Sequence, residues 1–403
     1  MKTKPGYKQT EVGILPEAWR VEPLGIHVRI ISGESPSLFH FVTDGFPYFK
    51  VEQLSNSEKY LDSSSTPYHF KSGNTVPRGS VIFAKRGAAI ALNKVRILAH
   101  EAFMDTNLMA LIPSEELDAE FLYYALGYIG LWRFADTTSV PQINNKHVNP
   151  LPFALPKIHE QRAIARVLSD VDELLIGLDY LIVKKRDLKQ AAMQRFLTGQ
   201  IRLPGFRGEW EVKRIGEFTD CAAGGTPSTL VSAYWGGPIR WMNSGELNLK
   251  RVEEVAGRIT SAGLSNSSAR LIPPKCVLIG LAGQGKTRGT VAMNFIELCT
   301  NQSIAAVFPS AAFVPEYLYY NLDSRYDELR DLSSGGGGRG GLNLTVIKSI
   351  RVPLPSIAEQ TAIAEVLTDM DAELAALELR REKTRALKQA MMQELLIGKV
   401  RLV

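Results

Sequence analysis

The sequence predicts an α+β chain built on one plan used twice. Two similar, mixed, strand-rich domains are separated by two long antiparallel helices that form a coiled coil. Three observations carry this expectation. One segment of 49 residues occurs twice, each copy has an apolar seam at heptad spacing, and the stretches before the copies hold short apolar runs bounded by Gly or Pro.

The duplication is unambiguous. "LPKIHEQRAIARVLSDVDELLIGLDYLIVKKRDLKQAAMQRFLTGQIRL", Leu155 to Leu203, aligns without a gap at a shift of 199 with "LPSIAEQTAIAEVLTDMDAELAALELRREKTRALKQAMMQELLIGKVRL", Leu354 to Leu402, with 26 identities in 49 positions. The segments before each copy correspond more weakly. "WRVEPLGIHVRIISGESPS" parallels "WEVKRIGEFTDCAAGGTPS", "VPRGSVIFA" parallels "IPPKCVLIG", and "EFLYYAL" parallels "EYLYYNL". The plan is therefore a variable domain over 1–154, a constant segment over 155–203, a variable domain over 204–353 and a constant segment over 354–403.

In the first variable domain "PYFKVEQL", "GSVIFAK" and "LMALIP" read as strands, and in the second "PIRWMN", "KCVLIGL" and "IAAVFP" do. "AEFLYYALGYIGLWRFA" and "PEYLYYNLDSRYDELRDL" read as helices. In the constant segments Ile164, Leu168, Val171, Leu175, Leu178 and Ile182 follow a 4-3-4-3-4 spacing, and Ile363, Leu367, Met370, Leu374 and Leu377 keep it. Ser356 and Glu359 form a capping box, in which Lys157 replaces the serine of the other copy. Gly199 and Gly398 stand where a helix would stop.

Connectivity sets the helix direction. A helix of about 40 residues is about 60 Å long, while a compact domain of about 150 residues has a radius of gyration of roughly 15 Å. The second variable domain joins the end of one helix to the start of the other, so parallel helices would demand too wide a bridge. Antiparallel helices are expected, with the two domains at opposite ends of a rod and a pseudo-two-fold, near-circular organisation in which "VRLV" returns toward the first domain.

The repeated "LPxIxEQxAIAxVLxDxD" at Leu155–Asp172 and Leu354–Asp371, each followed by "LKQAxMQxxLxG", together with the openings at Trp19 and Trp210, resembles the DNA-specificity subunit of a Type I restriction–modification enzyme. The resemblance implies two target-recognition domains, each reading half of a split, asymmetric site in double-stranded DNA. It implies helices that set the spacing and bind two methyltransferase (modification) subunits, joined by restriction/translocase subunits. S-adenosylmethionine and ATP would then belong to those partners, and this chain would need no cofactor. A repeat scaffold for two protein ligands, without DNA, is the alternative from another class.

Charge adds a constraint. The first variable domain has 15 basic and 15 acidic residues, and the second 16 and 13. A chain that held DNA unaided would carry a stronger basic footprint, so partner subunits are expected to supply much of the phosphate contact.

Candidates for that contact follow from side-chain chemistry. Lysine and arginine suit phosphate or guanine, and glutamine and asparagine suit adenine. The loops offer Lys85, Arg86, Lys94, Gln142, Asn144, Asn145 and Lys146 in the first domain. In the second they offer Arg240, Asn243, Ser244, Gln284, Lys286, Arg288, Arg339 and Asn343. Glu160 and Gln161, with Glu359 and Gln360, are polar pairs kept by both copies and candidates for subunit contacts.

"GLAGQGKT", residues 280–287, fits the phosphate-loop pattern GxxxxGK[ST] and raises the alternative of a nucleotide enzyme. That loop needs a helix after its threonine, and "RGTVAMNF" favours a turn and a second strand. Three scattered cysteines and six histidines without ligand spacing point to no metal site and to a reducing cytoplasm. No secretory signal or membrane span is expected, and no nucleophile, base and oxyanion donor assemble, so the chain is expected to be non-catalytic.

Overall fold

The computed structural model describes residues 5–38, 40–71, 73–136, 139–283, 287–332 and 342–402. The chain forms two compact units, one of residues 1–179 with 380–403 and one of residues 180–379.

Each unit is centred on a five-stranded sheet. In the first, the strands are β1 (Val28–Ser32), β2 (Tyr60–Leu61), β3 (Val81–Ala84), β4 (Val95–Leu98) and β5 (Leu108–Pro113), in spatial order β1-β5-β3-β4-β2. In the second they are β6 (Cys221–Ala223), β7 (Arg251–Val252), β8 (Val277–Gly280), β9 (Val291–Asn294) and β10 (Ile304–Val307), in order β6-β10-β8-β9-β7. The two orders are the same, and in each only the short last strand runs parallel to its neighbour. The weak similarity between the variable domains thus reports a common topology.

The central strands are buried on both faces, which is why they read as unbroken apolar runs. In β8, Val277 and Ile279 face a core with Tyr317, Leu318 and Ile347, while Leu278 faces a second cluster with Met242 and Leu298. Val81 and Phe83 against Ile82 and Ala84 divide in the same way in the first unit.

The variable domains close on themselves before each long helix. Arg20–Pro23 pairs antiparallel with Pro152–Leu155, and Glu211–Arg214 with Arg351–Leu354. The short helices α1 (Ala119–Ile129) and α3 (Pro315–Asp323) lie against the sheets. Both are shorter than the sequence pattern suggests. α1 stops at Gly130, whose φ of 85° is left-handed, and a 3-10 turn follows over Leu131–Phe134. "PYFKVEQL" divides similarly, a strand to Phe49 and a 3-10 turn from Val51, because the Gln53 side chain accepts from the Lys50 amide at 2.9 Å.

The long helices are α2 (Ile158–Leu197) and α4 (Ile357–Leu396). They run antiparallel within each unit. In the first, Asp172 pairs with Lys388 at 2.5 Å and Asp179 with Arg381 at 3.2 Å. In the second, Asp371 pairs with Lys189 at 2.5 Å and Glu373 with Lys185 at 2.7 Å. As the number rises on one helix it falls on the other.

The expected seam is buried at Ile164, Leu168, Leu178, Ile182, Ile363, Leu367 and Leu374, and partly buried at Val171, Leu175, Met370 and Leu377. Its first turns do more than pack helix on helix. Ile164 and Leu168 join the core of the first unit together with Leu395 and Leu396, and Ile363 and Leu367 join that of the second with Met193 and Leu197. Gly199 and Gly398 end the helices with φ of 71° and 66°.

Candidate nucleic-acid interface

Strand direction brings most of the first domain's candidates to one edge of its sheet. β1 and β3 end there and β5 begins there, so Ser32, Lys85 and Asn107 lie side by side. The Lys85 amide donates to the Asn107 carbonyl at 2.8 Å, and Lys85 Nζ donates to Ser32 Oγ at 2.9 Å. Burial lowers the pKa of this ammonium against the opposing pull of Asp105.

The β3–β4 loop is stitched to a segment far away in sequence. Gly87 N donates to the Pro141 carbonyl and Ile143 N to the Lys85 carbonyl, each at 2.8 Å, with an antiparallel bridge between Arg86 and Gln142. At the far end of the loop Lys94 Nζ donates to Ser55 Oγ at 2.6 Å. Asn144 opens the short helix Asn145–Val148, whose Asn145 and Lys146 are exposed.

The second unit repeats the arrangement. β6 and β8 end and β10 begins at one edge, where Leu281 N donates to the Ser303 carbonyl at 2.8 Å. The strand Trp235–Met242 ends there too, since Asn301 N donates to the Met242 carbonyl at 3.0 Å, which places Asn243 and Ser244 at this edge. Arg288 sits in the β8–β9 loop. Arg240, earlier on its strand, pairs with Glu254 at 3.4 Å. Gln284, Lys286 and Arg339 lie outside the described residues.

Two candidates carry local structural duties. Asn243 Oδ1 accepts from Gly245 N at 2.8 Å and its side-chain amide donates to Glu246 Oε2 at 2.9 Å, so it caps the turn over Ser244–Leu249. Asn343 Oδ1 accepts from Val346 N at 3.0 Å and caps the helix Leu344–Ser349. Asn144 and Asn343 correspond because both begin a helix.

One charge pattern escapes regional sums. No Asp or Glu occurs from Ser63 to His100 or from Thr260 to Phe295, the corresponding segments of the two domains, although the chain has 42 acidic residues among 403. These segments supply β3, β4, β8, β9 and the loops at the candidate edges. Segments free of carboxylates suit a polyanion without a large excess of lysine and arginine, although Asp105, Asp136 and Glu246 enter the edges from other segments. Sequence reasoning also missed Lys50. It opens a 3-10 turn beside Asp105, as Asn243 does beside Asn301, with its Nζ 3.7 Å from the Tyr68 ring centre.

The nucleotide reading of "GLAGQGKT" fails on geometry. A turn at Arg288–Gly289 follows Thr287, and the chain re-enters the sheet as β9, antiparallel to β8. Among the described residues no helix begins after Thr287 to hold a phosphate. Among the described residues no group of His, Cys, Asp and Glu could hold a metal ion, and no helix is long and apolar enough to cross a membrane.

The four residues expected to contact other subunits are interior instead. Glu160, Gln161, Glu359 and Gln360 are at most 1% exposed. Glu160 accepts from Trp19 Nε1 at 3.0 Å and from Arg401 at 2.5 and 2.9 Å. Glu359 accepts from Trp210 Nε1 at 3.2 Å and from both Nε and Nη2 of Arg202. The Ser356 capping box is therefore half formed: Ser356 Oγ accepts from Glu359 N at 3.3 Å, while the carboxylate turns to Arg202. Gln161 accepts from Asp118 N at 2.8 Å and Gln360 from Val314 N at 2.9 Å, fixing the starts of α1 and α3. Both copies keep these residues because they join each long helix to its own domain. Among the mostly charged side chains that the helices leave exposed are some apolar ones at equivalent positions of the two copies: Leu188 with Leu387, and Tyr180 with Leu379.

Known proteins share this architecture. Residues 16–179 and 207–385 match the Type I restriction modification DNA specificity domain. The chain is 23% identical over 419 residues to the putative type I restriction enzyme MjaX specificity subunit of Methanocaldococcus jannaschii, covering 98% of this chain and 96% of that protein. It is 33% identical over 168 residues to the MjaIX specificity subunit of the same organism, covering 40% and 38%. The S subunit of the Type I system of M. genitalium superimposes with a TM-score of 0.60 at 16% identity, over 98% of each chain. With two copies of the family domain on a duplicated fold, the chain belongs to the Type I restriction–modification DNA specificity family, as a specificity subunit with two recognition domains.

Proposed function

We propose that each recognition domain reads one half of a bipartite, asymmetric duplex through the sheet edge described above. The observation that supports this most is the recurrence of one edge in both units, built in part from carboxylate-free segments and carrying Lys85, Arg86 and Gln142 in one and Asn243, Ser244 and Arg288 in the other. Phosphate contacts position a protein on DNA and base contacts specify the sequence. The cations Lys85, Arg86 and Arg288 suit the first task and Gln142 the second, while Asn243 shapes the turn that presents Ser244. Gln284, Lys286 and Arg339 belong to this proposal by sequence position. Methylation mapping of host DNA in strains carrying Arg86→Ala or Arg288→Ala tests it. Each variant should weaken or relax recognition of one half-site only; an unchanged methylation pattern in both strains would sink the assignment.

The chain is proposed to be a non-catalytic, cytoplasmic component that docks two methyltransferase subunits, with restriction/translocase subunits joining through them. The exposed apolar side chains Leu174, Ile176, Tyr180, Val183 and Leu188 on α2, with Leu379 and Leu387 on α4, favour docking on the long helices, and Leu188 and Leu387 offer one repeated partner the same side chain twice. Changing Leu188 and Leu387 together to Ser should leave the chain's own stability within about 0.5 kcal/mol, as for other exposed sites. Co-purification of the methyltransferase should fall sharply. Full retention of the partner would remove these leucines from the interface.

A further inference from the structure

Residues 224–234, between β6 and the strand that begins at Trp235, form a rigid loop with an apolar tip. Gly225 N donates to the Thr300 carbonyl at 2.8 Å, and a Cβ on Gly224 would lie 1.9 Å from that same oxygen. Thr226 Oγ1 donates to Gln302 at 2.5 Å. The Ser228 carbonyl accepts from Trp235 Nε1 at 3.1 Å and from Val231 N at 3.3 Å, which closes the turn. Tyr234 N donates to the Val231 carbonyl at 3.0 Å, and Thr260 Oγ1 to the Ala233 carbonyl at 2.8 Å. At the summit Leu230 is 94% exposed, beside an exposed Val231.

A lone exposed leucine is ordinary. This one sits on a bonded loop that leaves the sheet at the edge carrying Asn243 and Arg288, where Gly225 is held to Thr300 and Thr226 to Gln302. Residues 221–239 are uncharged and residues 221–245, like residues 260–296, contain no Asp or Glu, so nothing in this segment repels a polyanion. A protein partner would need a contiguous apolar patch of a few hundred Å², and two side chains do not make one. A polyanion with stacked apolar bases fits both the charge and the shape. Proteins that distort duplexes commonly insert a leucine or phenylalanine between base steps.

We propose that Leu230 is an apolar wedge that enters between base pairs of the half-site read by the second domain. The wedge makes that half-site sensitive to the stiffness of one base step as well as to base edges. It rests on the assignment of this sheet edge to DNA, so the test carries a control for that assignment.

The test uses the purified complex with its methyltransferase subunits and a duplex bearing the target mapped from host methylation. 2-Aminopurine is placed at each position of the half-site except the methylated base. The wild-type complex should brighten the probe at one step. Leu230→Ser should abolish that rise and weaken binding roughly tenfold or more, the range expected when a buried leucine loses its contacts. Leu230→Met should retain both. The slope of log affinity against log salt should not move, since no phosphate contact is lost.

The wedge is overturned if Leu230→Ser binds within twofold of wild type, if the probe brightens unchanged, or if the variant fails to assemble with its partners in the absence of DNA. Arg288→Ala separates the two layers. If it lowers the salt slope by about one while Leu230→Ser is silent, the wedge alone is wrong. If both are silent, the edge does not contact DNA.

Discussion

At the scale of single residues, Asn343 shows how a motif can mislead. Its position opposite Asn144 suggests a base reader, yet its carbonyl oxygen is committed to the Val346 amide. Asn343→Ala should cost about 1 kcal/mol of stability, the usual value of a cap, whereas Asn343→Asp should cost little because aspartate caps equally well. Thermal melts of the two variants check this; equal losses would point to a role beyond capping. The cysteines make a second residue-scale case. Burial pushes the Cys276 thiol up to about 12 and Cys299 to about 11, and raises Cys221 as well. At pH 8, well below those values, the native chain should hold almost no thiolate at these sites and resist alkylation. The unfolded chain should gain three adducts by mass spectrometry, and rapid labelling of the native chain would contradict the burial.

At the scale of elements, each long helix has two kinds of apolar position. Leu168 and Leu367 are fully buried where helix meets domain, so changing either to Ala should cost about 2–5 kcal/mol, measured by denaturant unfolding. The exposed Leu188 and Leu387 should behave in the opposite way, mattering to assembly and hardly to the fold. The heptad spacing made the buried set legible in the sequence. It could not reveal that the first turns belong to domain cores, because Leu395 and Leu396 come from the far end of the other helix. Nor could it reveal why Glu160 and Glu359 recur: Arg401 and Arg202 are brought to them by the turns after the helices, and Trp19 and Trp210 by the starts of the two domains. Repeated polarity was legible, but its burial was not.

At the scale of the whole molecule, α2 and α4 each run from one unit into the other, and the helices are proposed to fix the distance between half-sites. Lengthening both by two turns should lengthen the unread gap in the mapped target while leaving the half-sites unchanged. An unaltered gap would separate spacing from helix length. The sequence by itself determined the duplicated plan, the two long helices, their stop at Gly199 and Gly398, and the family, because periodicity and repetition are local properties of a chain. Only the tertiary structure decided which residues share a surface. Arg86 meets Gln142, and Met242, beside Asn243, meets Asn301, through strand order and register, which place residues distant in sequence at one sheet edge. It also decided that "GKT" leads into a strand, since the chain's direction after a glycine turn is set by the sheet it rejoins.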